Sequence, residues 1–219
     1  QATRPPAIRT VLGLHAIAVE VALAKTDEQS TRFDLAKPHV DALIASSDAR
    51  YQGLGHLFQG SIDLEKSGIA AKVDEAKPRP TTPENSNERS KLRSSAITHL
   101  GAAAERLPDV AEAQARYGVA LLLSGEQNLG RQFLQKALTM GNLDAQYQIW
   151  AAWAILQGGY PEEAEPIVNG LIERVADGSQ PASIMGTLQL IRGEILQAKN
   201  SPADLNKATE AFELAMRNG

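Results

Sequence analysis

Apolar residues return along this chain at intervals of three and four, with polar residues between them, the period of helices that bury one face. β-branched residues seldom cluster or alternate, which leaves little to build a sheet from. The pattern predicts an all-α fold.

A longer period lies over the helical one. Ala36-Lys37-Pro38-His39-Val40-Asp41-Ala42-Leu43-Ile44 and Ala164-Glu165-Pro166-Ile167-Val168-Asn169-Gly170-Leu171-Ile172 both read A-x-P-x-V-x-small-L-I. Their skeleton is a small residue, an apolar one four later and another three after that. It returns as Ala96/Leu100/Ala103, Gly130/Leu134/Ala137 and Ala208/Phe212/Ala215. From Ala96 to Gly130 to Ala164 the interval is 34 residues each time, the length of a helix-turn-helix repeat. Each copy follows another amphipathic segment, carrying Leu12-Gly13-x-x-Ala16, Tyr51-x-x-Leu54-Gly55-x-x-Phe58, Tyr117-Gly118-x-x-Leu121 or Ala151-Ala152-x-x-Ile155.

These motifs resemble the tetratricopeptide repeat, with W-x2-L-G-x2-Y on its first helix and A-x3-F-x2-A on its second. The clearest copy is 111–144, where Gln135-Lys136-Ala137-Leu138 ends the second helix and Pro108 closes the preceding repeat. The resemblance implies a right-handed superhelical solenoid of antiparallel helix pairs, about ten helices in a single array over 1–219. Its repeats would span 6–47, 48–110, 111–144, 145–181 and 182–219. Gly55, Gly118 and Ala152 are then expected to let the paired helices approach at Ala96, Gly130 and Ala164. Pro38 and Pro166 fall inside second helices, where each removes an amide donor and should bend the helix or delay its start. Ser201 reads as an N-cap and Pro202 as a first helical residue. An insertion at 68–90 separates the helices of the second pair. Its Pro78, Pro80 and Pro83, its charges and its few apolar residues predict a mobile loop over 72–90.

Composition narrows the function classes. The 34 alanines and 5% aromatic content suit close helix packing, and 22 Lys+Arg against 26 Asp+Glu give a net charge of -4. Neither sign dominates a long stretch, so a nucleic-acid surface has no electrostatic basis. The absence of cysteine removes disulfides, thiolate metal sites and cysteine nucleophiles. The apolar run at 11–24 is interrupted by His15 and Glu20, too short and too polar to span a bilayer. The chain begins at Gln1, which suggests a processed protein or a piece of a longer one. The compartment, cytoplasmic or periplasmic, stays open.

Chemistry-bearing patterns are sparse. Gly53-x-Gly55-x-x-x-x-Gly60 lacks the strand, the Lys-Ser/Thr and the helix start of a phosphate loop. Its bland reading makes Gly55 the close-contact residue, with Gly53 and Gly60 weakening the helix. His15, His39, His56 and His99 are dispersed and form neither H-E-x-x-H nor an i, i+4 pair, so no metal site is expected. Glu162-Glu163 stands at a helix start, where negative charge is favourable, and Asp74-Glu75 lies in the insertion. No nucleophile motif is present. Lys77-x-x-Pro80-x-x-Pro83 matches a polyproline ligand, a match expected by chance in such a linker. The expectation is a chain that is not an enzyme and uses no cofactor.

The resemblance places a partner groove on the first helices of the pairs. Carried over position by position, it selects Gln52, His56 and Gln59, then Glu112, Ala115, Val119 and Leu122, then Gln146, Ile149, Trp153 and Leu156. His56, Val119 and Trp153 stand where a carboxylate clamp needs Asn. An apolar centre with polar flanks suits a peptide or partner helix anchored on Trp153. A plainer reading packs Leu122, Leu123 and Leu156 against adjacent helices and leaves Val119 and Trp153 to the groove. At the far end no further helix covers Phe212, Leu214 and Met216, so the array is expected to continue or to self-associate there. The function expected is a protein-interaction scaffold. The alternatives are a structural spacer or self-assembly module of a larger protein, and an array that binds a small molecule.

Overall fold

A computed structural model describes residues 31–67, 83–141 and 143–218. Among them the chain is all-helical and contains no strand. The helices are α1 (Thr31–Ile44), α2 (Ala49–Lys66), α3 (Pro83–Arg106), α4 (Ala111–Leu123), α5 (Gln127–Thr139), α6 (Ala145–Gln157), α7 (Pro161–Ala176), α8 (Met185–Lys199) and α9 (Pro202–Asn218). A short 3-10 turn, Ala182–Ile184, leads into α8. The first helix of the first expected repeat, with Gly13 and His15, lies outside the described residues. So does the 68–82 part of the insertion. The chain divides into two compact units, residues 1–113 and 114–219.

In the first unit α2 packs between α1 and α3. Asp48 caps α2, its carboxylate accepting from the backbone N–H of Arg50 at 2.8 Å and of Tyr51 at 3.2 Å. Phe33, Ala36, Val40 and Leu43 of α1 bury with Ile62 of α2, flanked by Tyr51 and Phe58. Pro38 sits within α1 without ending it.

Two sequence expectations are corrected here. Helix α3 begins at Pro83, so the last eight residues assigned to the loop at 72–90 are helical. A proline at a first helical position loses no intrahelical bond and presets φ, which is why a loop-like composition starts a helix. The second correction concerns the glycines of α2. The expected partner of Gly55 was Ala96, but a Cβ at Gly55 would lie 2.7 Å from the Ile44 backbone nitrogen, against α1. The residue facing Ala96 is Gly60, where a Cβ would meet Leu100 at 2.6 Å and the Ala96 carbonyl at 3.1 Å. Gly53 likewise receives Leu107 at 2.7 Å. All three are contact positions, on two sides of one helix.

The second unit carries the 34-residue period in its geometry. Helix starts at Ala111 and Ala145, ends at Leu123 and Gln157, and next starts at Gln127 and Pro161 are each 34 apart. The intervening turns use Gly125 and Gly159 at φ 95° and 86°, the left-handed region that favours glycine. At the first of these turns α4 and α5 touch backbone to backbone. A Cβ at Gly118 would stand 2.8 Å from the Gly130 carbonyl oxygen, and one at Gly130 would stand 2.9 Å from the Gly118 carbonyl oxygen. Ala152 and Ala164 are fully buried on the packed pair α6 and α7. In α8 and α9 the close position is Gly193, whose missing Cβ leaves room for the Phe212 ring. Phe212 is therefore turned inward and half-buried, not uncovered as the sequence suggested, while Met216 remains 78% exposed.

Polar contacts join successive pairs within this unit. The Arg131 guanidinium of α5 lies 3.9 Å from the Tyr160 ring centroid and pairs with Glu163 of α7. Lys199 at the end of α8 bonds Glu165 of α7 at 2.7 Å. Within the α6/α7 pair, Arg174 reaches Gln148 at 2.6 Å. Pro166 lies inside α7, which begins without delay at Pro161. Ser201 caps α9 as its sequence predicts, accepting from the Asp204 N–H at 3.1 Å.

Two glycines give opposite expectations. Gly118→Ala should destabilise the chain by about 1–3 kcal/mol, because the new methyl group meets backbone that cannot move aside. Gly170→Ala, with open space at its Cβ in the middle of α7, should stabilise it by about 0.5–1 kcal/mol. Urea unfolding followed by circular dichroism measures both.

Candidate functional site

The residues selected for a partner groove divide into two groups of different character. In the second unit Ala115, Val119 and Leu122 of α4 and Ile149, Trp153 and Leu156 of α6 are all buried. Trp153 is 9% exposed and Val119 5%. These side chains are core, and the open apolar wall expected from the sequence is corrected to a closed one, Val119 and Trp153 included. Leu122 packs against Gly130 of α5, and 3.6-residue spacing does not distinguish a stripe that meets protein from one that meets solvent. Gln146 is exposed at the start of α6, beside its N-cap Asp144, and Glu112 is half-buried in the first turn of α4.

Next to this core lies a polar-aromatic cluster that sequence reasoning missed. The buried Arg116 guanidinium lies 4.7 Å from the centroid of Tyr147 and 5.5 Å from that of Trp150. It also donates a hydrogen bond to the Tyr147 hydroxyl. Tyr147 and Trp150 meet edge to face at 5.7 Å. A charge buried this way is stabilised by the ring faces and the hydroxyl together. Arg116 and Tyr147 are 31 residues apart, an interval that marks neither of them in the sequence.

In the first unit Gln52, His56 and Gln59 are half-buried on one stripe of α2, turned toward α3. Gln52 accepts from Arg106 Nε at 3.3 Å. His56 and His99 share a hydrogen bond, Nδ1 to Nδ1, at 2.9 Å, with ring centroids 5.2 Å apart. Gln59 donates to the buried Asp63 carboxylate at 2.8 Å, and Ser95 donates to its other oxygen at 2.6 Å. Positions 52, 56, 59 and 63 of α2 thus face 106, 99 and 95 of α3 in antiparallel order. The two histidines that looked dispersed in sequence meet here because Gly60 brings α3 close. His39 is exposed on α1, and His15 lies outside the described residues.

The electrostatics of this seam follow from its packing. Burial holds the His56 imidazole below its ordinary value, and the neighbouring His99 and the Arg106 charge push the same way. With one Nδ1 donating and the other accepting, the pair holds together when neither ring is charged. Asp63 keeps two donors and needs no cation. Among the described residues no three His, Asp, Glu or Cys side chains converge as a metal cluster, and no helix is long and apolar enough to cross a membrane.

Elsewhere, one Glu194 carboxylate oxygen on α8 is buried with no hydrogen-bond partner, and burial raises its pKa. Comparison with protein-family models, with curated proteins and with solved structures returns no match to this chain.

Two outcomes follow for pH. Because the folded pKa of His56 lies below its unfolded value of 6.5, the unfolded chain binds more protons, and stability falls as pH drops below about 6.5. His56→Gln should flatten that loss between about pH 7.5 and pH 5 in urea titrations. For Glu194 the sign reverses: a raised folded pKa removes stability as pH rises through and above 4.5. Glu194→Gln should therefore gain stability at neutral pH and little at about pH 4, by the same measurement.

Proposed function

We propose that the chain is a protein-interaction scaffold built as a solenoid of helix pairs similar to tetratricopeptide repeats, taking a peptide or partner helix along its first helices. The observation that supports this best is the recurrence, at 34 residues, of the α4/α5 pair as α6/α7, with starts, ends and turn glycines in register. Repeats of this kind bury their faces on one another and leave a continuous row of equivalent helices to a partner. Since the apolar positions of α4 and α6 are closed, recognition on this reading uses the half-buried and exposed polar positions beside them: Glu112, Gln146 and, at the end of α6, Gln157. The mechanism is shape-complementary binding, with no chemistry on the ligand.

A second reading, self-association as a structural spacer or assembly module, is favoured by α9, which leaves Leu205 41%, Leu214 40% and Met216 78% exposed. Apolar side chains so exposed along one helix are suited to packing on another subunit.

Selection of displayed peptides against the immobilised chain tests the first reading. Enriched peptides should be amphipathic, and Gln146→Arg with Gln157→Arg should weaken the best of them by about tenfold, or 1.4 kcal/mol, with no change in melting temperature. Failure to enrich any peptide above a scrambled control would count against the groove. Sedimentation at rising concentration tests the second: mass should increase with concentration in the wild type and not in Met216→Glu.

A further inference from the structure

We propose that the face of α8 carrying Leu190, Glu194 and Gln197 receives a basic side chain, lysine or arginine, of an amphipathic partner peptide, with the Glu194 carboxylate as its counter-charge. The proposal rests on the groove reading above and names the chemistry of what fills that groove.

Position within the repeat singles out this face. Gly118 and Gly193 are the close-approach residues of α4 and α8, and the fully buried Ala152 holds the same place on α6. Counted from them, Glu194 stands where α4 has Val119 and α6 has Trp153, both buried. Leu190 and Gln197, one turn to either side, stand where α6 buries Ile149 and Leu156. The stripe that is closed on α6 therefore opens on α8, which touches it within the same unit. Leu190 and Glu194 are half-buried there, and Gln197 is exposed.

Charge selects the occupant. One Glu194 oxygen is already withdrawn from water with no hydrogen-bond donor against it. Burial alone moves the pKa of the group, upward, and no neighbouring cation draws it back. By contrast Glu163 and Glu165 of α7 meet Arg131 and Lys199 of their own chain. An apolar cover over α8 would bury the rest of the Glu194 carboxylate unpaired, an arrangement that is strongly unfavourable. An ammonium or guanidinium brings charge-assisted donors instead, and the low dielectric that penalises the lone carboxylate strengthens the pair. Leu190 offers apolar contact to the alkyl stem of such a side chain, and the Gln197 amide oxygen offers a second acceptor. Glu194 thus destabilises the free chain and gains its partner on binding, as a recognition group does and a packing residue does not.

The test is selection of displayed random peptides on the immobilised full chain, wild type beside Glu194→Gln. That variant relieves a buried carboxylate and is expected to remain folded, with a melting temperature at or above that of the wild type. Peptides enriched on the wild type should carry Lys or Arg at one fixed place in an amphipathic pattern. Replacing that residue by norleucine in the best peptide should weaken it about tenfold on the wild type and less than about twofold on Glu194→Gln, read by fluorescence anisotropy. Enriched peptides without a fixed basic residue, or an equal loss on both chains, would overturn this inference and leave the groove reading standing. No enrichment above a scrambled control would overturn both.

Discussion

Everything described rests on helices approaching one another at residues with little or no side chain. At Gly118 and Gly130 the approach is reciprocal, each α-carbon set against the other's carbonyl oxygen, a geometry that adds weak Cα–H···O attraction to dispersion. Glycine inside a helix costs about 0.5–1 kcal/mol in backbone entropy relative to alanine. Burying Leu122 and Leu134 around the crossing offsets this, since each buried leucine contributes about 1.5–3 kcal/mol. The same exchange recurs with Gly60 against Leu100 and with Gly193 against Phe212.

What fills the space beside a crossing decides what each unit presents. In the second unit Val119 and Leu122 of α4 and Ile149, Trp153 and Leu156 of α6 are buried, so these helix faces close into a core. In the first unit the stripe of α2 that faces α3 is Gln52, His56, Gln59 and Asp63, and it meets Arg106, His99 and Ser95. A polar seam specifies its register, because each group needs one partner at one distance. Its stability falls with acid as protons add to His56, whose pKa burial lowers.

The helical period, the 34-residue interval and the small residues at 118 and 130 were legible in the sequence because they are consequences of one local geometry. The cap at Ser201 and the helix start at Pro202 were legible for the same reason. The start of α3 at Pro83 was not, since proline, asparagine and charge suit both a loop and a first helical turn. The partner of Gly55 was also hidden: a helix lying between two others has two contact faces, and a glycine belongs to either. Burial of Val119 and Trp153 could not be read from spacing, which reports a face and not what meets it. The pairing of His56 with His99, 43 residues apart, depends on the register of α2 against α3 and on a crossing at Gly60 that the pattern had assigned elsewhere.

The measurement that tests the close-crossing claim most directly is a nuclear Overhauser experiment on chain labelled at glycine. A strong cross-peak between the α-protons of Gly118 and Gly130 is the result expected from their reciprocal contact. Its absence in a chain that retains full helical content would contradict it, because α4 and α5 would then be helices that do not meet where their side chains vanish.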